Sequence, residues 1–263
     1  MDSSYTLSKG NIGMLISMPH NGQAIASEIA TTMTETARKV PDTDWYMDKL
    51  YDFAGDLGIS IITPEYNRYV IDLNRDITGI NLYPGANSTE LCPTTAFDHT
   101  ALYLSGMKPD EQEISRRIEC YWQPYHRALK NTLADMKAEF GKVVLLDAHS
   151  ILSHVPRFFE GQLPDFNFGN ADGKSCSDEL IGKISQLDLT PYSSVVNGRF
   201  KGGYITRAYG NPDNDIHAIQ LELSQHTYMD EPSNHYNEVN AAKVKEKLTD
   251  FVTCLADFAQ QKN

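Results

Sequence analysis

The amino-acid sequence predicts an α/β protein whose strands form a βαβ-type sheet. Two observations lead to this fold class. Short apolar runs bounded by Gly, Pro or Asn recur along the chain, and segments with helical spacing of apolar residues separate them. This alternation is typical of a sheet covered by helices and not of a β-sandwich. A chain of 263 residues can bury a sizeable core, so we expect one domain over residues 1–263.

Six apolar runs have the composition of buried strands. They are rich in Val, Ile, Leu and Tyr, and turn-forming residues bound them. We predict strands over residues 12–18, 59–63, 69–73, 143–146, 193–196 and 218–223.

Three segments have the apolar spacing of helices. The first, residues 43–57, is the next predicted element after the first strand. The second, residues 109–140, is long and rich in paired charges, and Pro124 is expected to kink or break it. The third, residues 237–260, has the pattern of a packing helix.

Two long segments lack either pattern. Residues 76–106 and residues 150–174 read as loops, and the second is dense in Pro, Gly, Asn and Phe. Loops of this length in a compact domain more often form the walls or lids of a site than simple connections.

The charge and composition exclude several classes of protein. A net charge of −12 and a pI near 5.0 argue against nucleic-acid binding, which needs clustered Lys and Arg. No run approaches the roughly 20 apolar residues of a membrane span, and no targeting segment is visible. The four cysteines lie far apart and are expected to be reduced thiols. We therefore expect a cytoplasmic protein with neither a nucleic-acid nor a membrane partner.

Two histidines follow or end predicted strands and are candidate metal ligands. His20 comes directly after the first strand, and His149 lies at the end of the fourth. The carboxyl ends of strands in open α/β sheets are where ligands bind. Catalytic zinc usually takes three protein ligands and keeps one position open, so a third ligand is needed. The candidates are Asp44 and Asp48, one helical turn apart at the start of the next predicted helix.

Glu222 is the candidate acid and base. It lies inside the apolar strand predicted over residues 218–223, where a carboxylate is costly unless it is paired, protonated or part of a site. A glutamate at a hydrolytic metal centre can take a proton from the attacking water and return it to a leaving amine. The alternative interpretation is a structural salt bridge between Glu222 and a nearby arginine.

Arginines among Gly and Asn residues indicate capture of an anionic group. They lie in residues 67–75, 197–204 and 206–207 of an otherwise acidic chain. Arginine binds carboxylates through two parallel hydrogen bonds, and glycine lets the backbone approach a ligand. Each of these arginines could also be a solvated loop charge.

A serine nucleophile fits the sequence less well. No G-x-S-x-G motif is present, so the usual turn of an α/β-hydrolase nucleophile is missing. The run Asp147-Ala148-His149-Ser150 does not make a catalytic triad, because consecutive side chains of a strand point to opposite faces.

Several separated motifs occur together in one order along nearly the whole chain, and with them the sequence resembles the N-formylglutamate amidohydrolase family, also called N-formylglutamate deformylases. The motifs are Ser-Met-Pro-His-Asn-Gly at residues 17–22, Thr-Asp-Trp at 43–45, Leu-Cys-Pro-Thr-Thr at 91–95, Asp-Ala-His-Ser at 147–150, Gln-Leu-Glu-Leu at 220–223, and the runs 67–75, 121–126 and 197–207.

This resemblance implies a phosphorylase/hydrolase-like α/β fold, in which helices flank a mixed central sheet and the core is related to that of zinc carboxypeptidases. It also implies a single catalytic domain that hydrolyses N-formyl-L-glutamate to formate and L-glutamate in histidine degradation. His20, Asp44 and His149 would hold one Zn²⁺ or another divalent transition metal, and Glu222 would be the acid and base.

The small anionic substrate carries two carboxylates, which need cationic partners. The candidates are Arg68, Arg75, Arg199 and Arg207, with Asn74 and Asn197 as orienting amides. Two other functions remain open: zinc-dependent deacylation of another N-acyl amino acid or a small peptide, and metal-free binding of an acidic amino acid without catalysis.

Overall fold

The structure, a computed structural model, describes residues 4–80 and 87–261, and a seven-stranded sheet forms its centre. Two very short strands pair separately as a small hairpin. The strands of the main sheet are β1 (Tyr5–Ser8), β2 (Met14–Ser17), β3 (Ser60–Pro64), β4 (Val143–Ile151), β5 (Phe166–Gly169), β6 (Ser194–Val196) and β7 (Ile216–Ser224). The strands of the hairpin are β8 (Met229–Asp230) and β9 (His235–Tyr236).

The main sheet is mixed, with a parallel centre. Its strand order is β1-β3-β2-β4-β7-β5-β6. Strands β3, β2, β4 and β7 run parallel to one another. Strand β1 pairs antiparallel with β3, and β5 pairs antiparallel with β7 and parallel with β6. The carboxyl ends of β2, β4 and β7 therefore meet at the same edge of the sheet, where the candidate site residues lie.

Helices cover both faces of the sheet, and none in the described ranges is long and apolar enough to cross a bilayer. The α-helices are α1 (Ser27–Ala30), α2 (Met47–Leu50), α3 (Glu111–Arg117), α4 (Gln123–Phe140), α5 (Asp178–Ser185), α6 (Tyr204–Tyr209) and α7 (Glu238–Gln260). A π-helical turn spans Ile118–Trp122, and 3₁₀ turns span Ala37–Lys39, Asp52–Gly55, Pro212–Asn214, Gln225–Thr227 and Glu231–Ser233.

Two apolar clusters fill the space between the sheet and the helices. The central strand β4 alternates between them: Val144 and Leu146 belong to the cluster that includes α5 and α7, and Val143 and Leu145 to the cluster that includes α4. This is the period-two alternation of a strand buried on both faces. It explains why the run 143–146 is continuously apolar.

The strand predictions were mostly confirmed, but one was wrong. Residues 69–73 form turns, in which Asn67 Oδ1 accepts a hydrogen bond from the Tyr69 N–H at 3.0 Å. An asparagine side chain that binds the backbone two residues on replaces strand pairing with an Asx turn. The short strands β1 and β5 had no predicted counterpart, and β5 lies inside the segment read as the loop 150–174. In the segment 76–106, residues 81–86 lie outside the described residues.

The helix predictions held best where the helix is long. Helix α7 begins directly after Asn237, whose side chain accepts from the Asn240 N–H at 3.0 Å. The segment 109–140 is helical, with the π turn just before Pro124, where the missing N–H of proline disturbs the regular ladder. The predicted helix over residues 43–57 was wrong in extent, because only α2 and a 3₁₀ turn form there.

Histidine 126 joins α4 to the turn that replaces the expected strand. Its Nε2 lies 2.8 Å from the Leu73 carbonyl and its Nδ1 lies 2.9 Å from the Tyr209 hydroxyl. Burial lowers the pKa of His126 to about 4. The folded protein therefore keeps this ring neutral at pH values where the unfolded chain protonates it.

Replacing His126 by glutamine should flatten the acid dependence of stability. The contribution of the neutral ring is complete above pH 6.5 and is lost as the pH falls toward 4, because the unfolded chain then binds the extra proton. Between pH 7 and pH 5 the free energy of unfolding of the wild type should fall by about 2 kcal/mol more than that of His126→Gln. Urea unfolding at both pH values measures this, and equal losses in the two proteins would contradict it.

Candidate metal centre and substrate cleft

Three neighbouring strands bring the predicted site residues to one edge of the sheet. His20 follows β2, His149 lies within β4, and Glu222 lies within β7. His149 and Glu222 are register partners on adjacent parallel strands. Asp44 is brought in by its backbone, whose N–H donates to the His20 carbonyl at 3.1 Å.

His20, Asp44 and His149 form a cluster that could hold a metal ion. One ligand atom from each lies within 4.8 Å of the other two, and all three side chains are buried. Asp44 Oδ2 lies 3.8 Å from His20 Nδ1 and 3.1 Å from His149 Nδ1. Two imidazole nitrogens and a carboxylate that leave room for water are a donor set of hydrolytic zinc.

The opposite nitrogen of each ring faces a carboxylate that the sequence analysis did not assign. His20 Nε2 lies 2.7 Å from Asp72 Oδ1, and His149 Nε2 lies 3.0 Å from Asp147 Oδ1. A carboxylate only accepts, so the Nε2 of each ring carries a proton, and without a metal His149 Nδ1 carries a second proton toward Asp44. With a metal bound, each Nε2 would keep its proton and each Nδ1 lone pair would be a ligand. The signal for Asp147 was available: it lies two positions before His149 in a strand, on the same face.

The electrostatics of this cluster require additional positive charge. Asp44, Asp72 and Asp147 are buried together. The cations beside them are Arg68, whose Nη2 donates to Asp72 at 2.8 Å, and Arg75, 3.8 Å from Asp72. Burial opposes the charged form of His149, but Asp147 and Asp44 hold its pKa well above the usual value. A proton on His149 therefore supplies the missing charge, and a divalent cation would supply it in place of that proton. The donor set thus fits a divalent transition metal.

Asp44 and not Asp48 lies with the histidines. Asp44 is buried and accepts from the Ser150 N–H at 3.0 Å, while Asp48 is exposed on α2. The expectation that both acids begin one helix was wrong, because α2 begins only at Met47. The chain between His20 and α2 is instead held by hydrogen bonds such as that between Asn67 Nδ2 and the Thr43 hydroxyl, at 2.9 Å.

Glu222 differs from the other carboxylates because it is buried without a partner. It is 8 % exposed and has no hydrogen bond or ion pair to its carboxylate among the residues that the structure describes. Asn167, opposite it on β5, donates to the backbone carbonyl of Glu222 at 3.0 Å. Burial raises the pKa of Glu222 to about 8, against the attraction of His149. The structural salt bridge considered from the sequence does not form. Glu222 is instead a group that can take up and release protons near neutral pH.

A cleft opens beside these residues, and both predicted long loops contribute to its wall. Arg68, Asn74, Arg75 and Arg199 line it together with His20, His149 and Glu222. The other residues that line it are Asp72, Asn87, Ser88, Phe97, Ser150, Ile151, Phe158, Phe200, Gly203 and Gln220.

The arginines of the cleft differ in their contacts. Arg68 is 8 % exposed and lies between Asp72 and the ring of Phe97, 5.0 Å from the ring centre. Arg75 is less buried, 3.8 Å from Asp72 and 3.3 Å from the Thr89 hydroxyl. Arg199 lies over the ring of Phe200 and donates to the Phe158 carbonyl at 2.6 Å. Sequence reasoning found the arginines but not the aromatic walls that orient them.

Two predicted substrate ligands lie outside the lining of the cleft. Asn197 adopts a left-handed backbone conformation and pairs its side chain with Asn170 at 2.6 Å. Arg207 donates to the Gly202 carbonyl at 2.8 Å. Asn74 lines the cleft, but its Nδ2 lies 3.2 Å from Asp147 and 2.8 Å from His149 Nε2, and its Oδ1 accepts from Ile205.

The geometry also agrees with the rejection of a serine triad. Asp147 and His149 are paired, but Ser150 points away from the ring and its hydroxyl lies 2.7 Å from that of Tyr228 and 3.2 Å from Gln225 Nε2. Among the described residues, no histidine forms a hydrogen bond with the Ser150 hydroxyl.

Comparison with known proteins identifies the family of this chain. Residues 12–229 match the family model described as N-formylglutamate amidohydrolase. This range covers the three metal-ligand candidates and Glu222. The chain belongs to the N-formylglutamate amidohydrolase family. It is 47 % identical over 233 residues to an N-formylglutamate deformylase of Pseudomonas putida, covering 88 % of this chain and 87 % of that one. It is 48 % identical over 233 residues to the protein of the same name in Pseudomonas aeruginosa, with the same coverage.

Solved structures of other proteins share this mixed α/β fold. The N-formylglutamate amidohydrolase of Ralstonia eutropha JMP134 has a TM-score of 0.86 at 23 % identity and covers 98 % of this chain and 99 % of that one. A gene product of Agrobacterium tumefaciens has a TM-score of 0.72 at 14 % identity, with coverage of 97 % and 96 %.

Replacing Asp147 by asparagine should weaken metal binding without removing a ligand. The asparagine can donate to His149 Nε2, so the Nε2–H tautomer that frees Nδ1 is no longer favoured. The dissociation constant for Zn²⁺, measured by competition with a chromogenic chelator, should rise by about 10- to 100-fold. Asp42→Asn is the matched control, because Asp42 is also buried and hydrogen-bonded, to Tyr69 and to the Phe97 N–H. Equal affinities of Asp147→Asn and wild type would remove Asp147 from the site.

Proposed function

We propose that this protein is a metal-dependent amide hydrolase that converts N-formyl-L-glutamate and water to formate and L-glutamate. The observation that carries the proposal is the buried His20–Asp44–His149 cluster beside an unpaired Glu222, in a cleft that also holds arginines. Family membership and the activity for which the two Pseudomonas relatives are named support the choice of substrate.

The chemistry divides between the metal centre and Glu222. A divalent metal, zinc in our proposal and one per chain, would polarise the formyl oxygen and lower the pKa of a water molecule. Glu222 takes the proton from the attacking water and passes it to the departing glutamate nitrogen. Its lack of a partner leaves its carboxylate open to the cleft for both steps. Asp72 and Asp147 keep the two rings in the orientation that the ligand set needs.

Substrate binding belongs to the cationic wall of the cleft. We assign the two substrate carboxylates mainly to Arg75 and Arg199, because both line the cleft and are less buried than Arg68. In this proposal Arg68 and Asn74 approach the substrate from positions set by Asp72 and Asp147. Asn197 and Arg207 support the loop that carries Arg199 and do not themselves touch the substrate.

Several wider features form part of the same proposal. They are one catalytic domain over the whole chain, a core related to that of zinc carboxypeptidases, a role in histidine degradation, a cytoplasmic location, and the absence of nucleic-acid and membrane partners. They follow from the resemblance and composition described above.

Formate release from N-formyl-L-glutamate tests the function directly. The purified protein should release formate, lose this activity after dialysis against a chelator, and regain it with one equivalent of Zn²⁺. N-acetyl-L-glutamate and N-acetyl-L-aspartate should be hydrolysed much more slowly at equal concentration. Faster turnover of either acetyl compound would favour a different deacylase, and tight glutamate binding without hydrolysis or bound metal would favour a binding protein.

Replacing Glu222 by glutamine should abolish most catalysis and leave the metal in place. Glutamine has nearly the same shape but cannot take a proton, so kcat should fall by about 10²- to 10⁴-fold. Metal content, measured by atomic emission, should equal that of the wild type, because Glu222 is outside the ligand cluster. Unchanged turnover would rule out the acid and base role.

A further inference from the structure

Gln220 is a buried polar residue of the cleft that the reaction above does not use. It lies on β7 two positions before Glu222, so the two side chains point to the same face of the sheet. It is only 3 % exposed, yet it lines the cleft. The two Cα atoms are about 7 Å apart along an extended strand, which places Gln220 beside the reacting bond and not on it.

The orientation of the Gln220 amide follows from a single contact. Its Oε1 accepts from the Gly203 backbone N–H at 2.6 Å. A backbone N–H can only donate, so the oxygen of the amide must face Gly203 and the nitrogen must face away from it. Among the described residues, Nε2 has no hydrogen-bond partner, although it is not sealed inside the protein. The rest of the Gln220 side chain lines the cleft.

Two glycines allow the Gly203 N–H to reach this position. Gly169 is the register partner of Gln220 on β5, and a Cβ there would lie 2.4 Å from the Gly202 nitrogen. A Cβ on Gly203 would lie 2.3 Å from Asn74 Nδ2. The chain around Gly202 can therefore cross over β5 only where side chains are missing, and this crossing holds the amide of Gln220.

We propose that Gln220 is a substrate-binding residue whose Nε2 donates a hydrogen bond to a carboxylate oxygen of the substrate's glutamate part, and this proposal rests on the function proposed above. The Gln220 side chain is almost wholly buried and lines the cleft, so an acceptor bound there would give Nε2 the partner that the described residues do not. The cleft also presents Arg75 and Arg199, so the acceptor is expected to be anionic. A donor on this side distinguishes a carboxylate from the corresponding amide, because the amide NH₂ would oppose a second donor.

Gln220→Glu changes the group that faces the cleft and keeps the contact that orients it. One glutamate oxygen can accept from the Gly203 N–H as before, and the other presents a negative charge to the substrate. The KM for N-formyl-L-glutamate should rise by about tenfold or more, with a smaller change in kcat. The preference for N-formyl-L-glutamate over the amide of the carboxylate that Gln220 binds should reverse.

Two amide substrates identify which carboxylate is bound. N-formyl-L-glutamine should gain in Gln220→Glu if Nε2 binds the side-chain carboxylate, and the α-amide of N-formyl-L-glutamate should gain if it binds the α-carboxylate. Gln112→Glu is the control for one added negative charge, because Gln112 is exposed on α3. Gln220→Met, uncharged and of similar length, is a second variant should the first fail to fold, and it should also raise the KM for N-formyl-L-glutamate by about tenfold.

Binding of the product provides a measurement that needs no turnover. Calorimetry should show L-glutamate binding weakened by about tenfold in Gln220→Glu relative to both wild type and Gln112→Glu. An unchanged KM and glutamate affinity, or an equal loss with all three formyl substrates, would overturn the role of Gln220. If the wild type released no formate, the proposed function would fail, while the comparison of glutamate affinities would still test Gln220.

Discussion

The site depends on the attraction between two buried imidazoles and the three carboxylates around them. Asp44 faces the Nδ1 atoms of His20 and His149, while Asp72 and Asp147 each bind one Nε2. Moving three carboxylates out of water is costly, and the two arginines beside them, Arg68 and Arg75, do not balance three negative charges. The remaining positive charge can come from a proton on His149 or from a bound cation, so the charge of this edge of the sheet would favour a metal ion.

The surroundings of Asp72 and Glu222 shift the pKa values of these two carboxylates in opposite directions. Arg68 and His20 hold the pKa of Asp72 well below its usual value despite burial, whereas burial without a partner raises the pKa of Glu222 to about 8. Such a separation is what acid and base chemistry needs, because one carboxylate must stay charged while another exchanges protons. The separation arises from neighbours: Asp72 accepts hydrogen bonds from the Arg68 guanidinium and the His20 ring, while Glu222 lies opposite Asn167 and lines the cleft.

The residues of the cleft likewise fall into two groups: those that hold other side chains in position, and those that are themselves held in position beside the open space. Arg68 binds Asp72, Asn74 binds Asp147, and Asp147 binds His149. These contacts keep the histidine rings in place. The rings of Phe158 and Phe200 hold Arg199 in place, and a backbone contact holds Gln220. These supports come from distant parts of the chain, so the shape of the cleft depends on the whole sheet and not on one motif.

The sequence by itself determined the α/β class, the central apolar strands, the long C-terminal helix and the residues His20, His149 and Glu222. These features rest on local periodicity and on polar residues placed in or after apolar runs, which a chain shows without folding. The choice of Asp44 over Asp48 needed the structure, because a short turn and not a helix follows residue 43, and this could not be read from spacing. The strand expected at residues 69–73 failed for a related reason, since one asparagine side chain captured the backbone.

Only the tertiary structure decided which polar groups meet. The pairing of Asp72 with His20, the unpaired state of Glu222, the exclusion of Asn197 and Arg207 from the cleft and the orientation of Gln220 all depend on contacts between residues far apart in sequence. Hydrogen bonds and charges act over a few ångströms, so their partners are set by strand order and register, which a single sequence does not display.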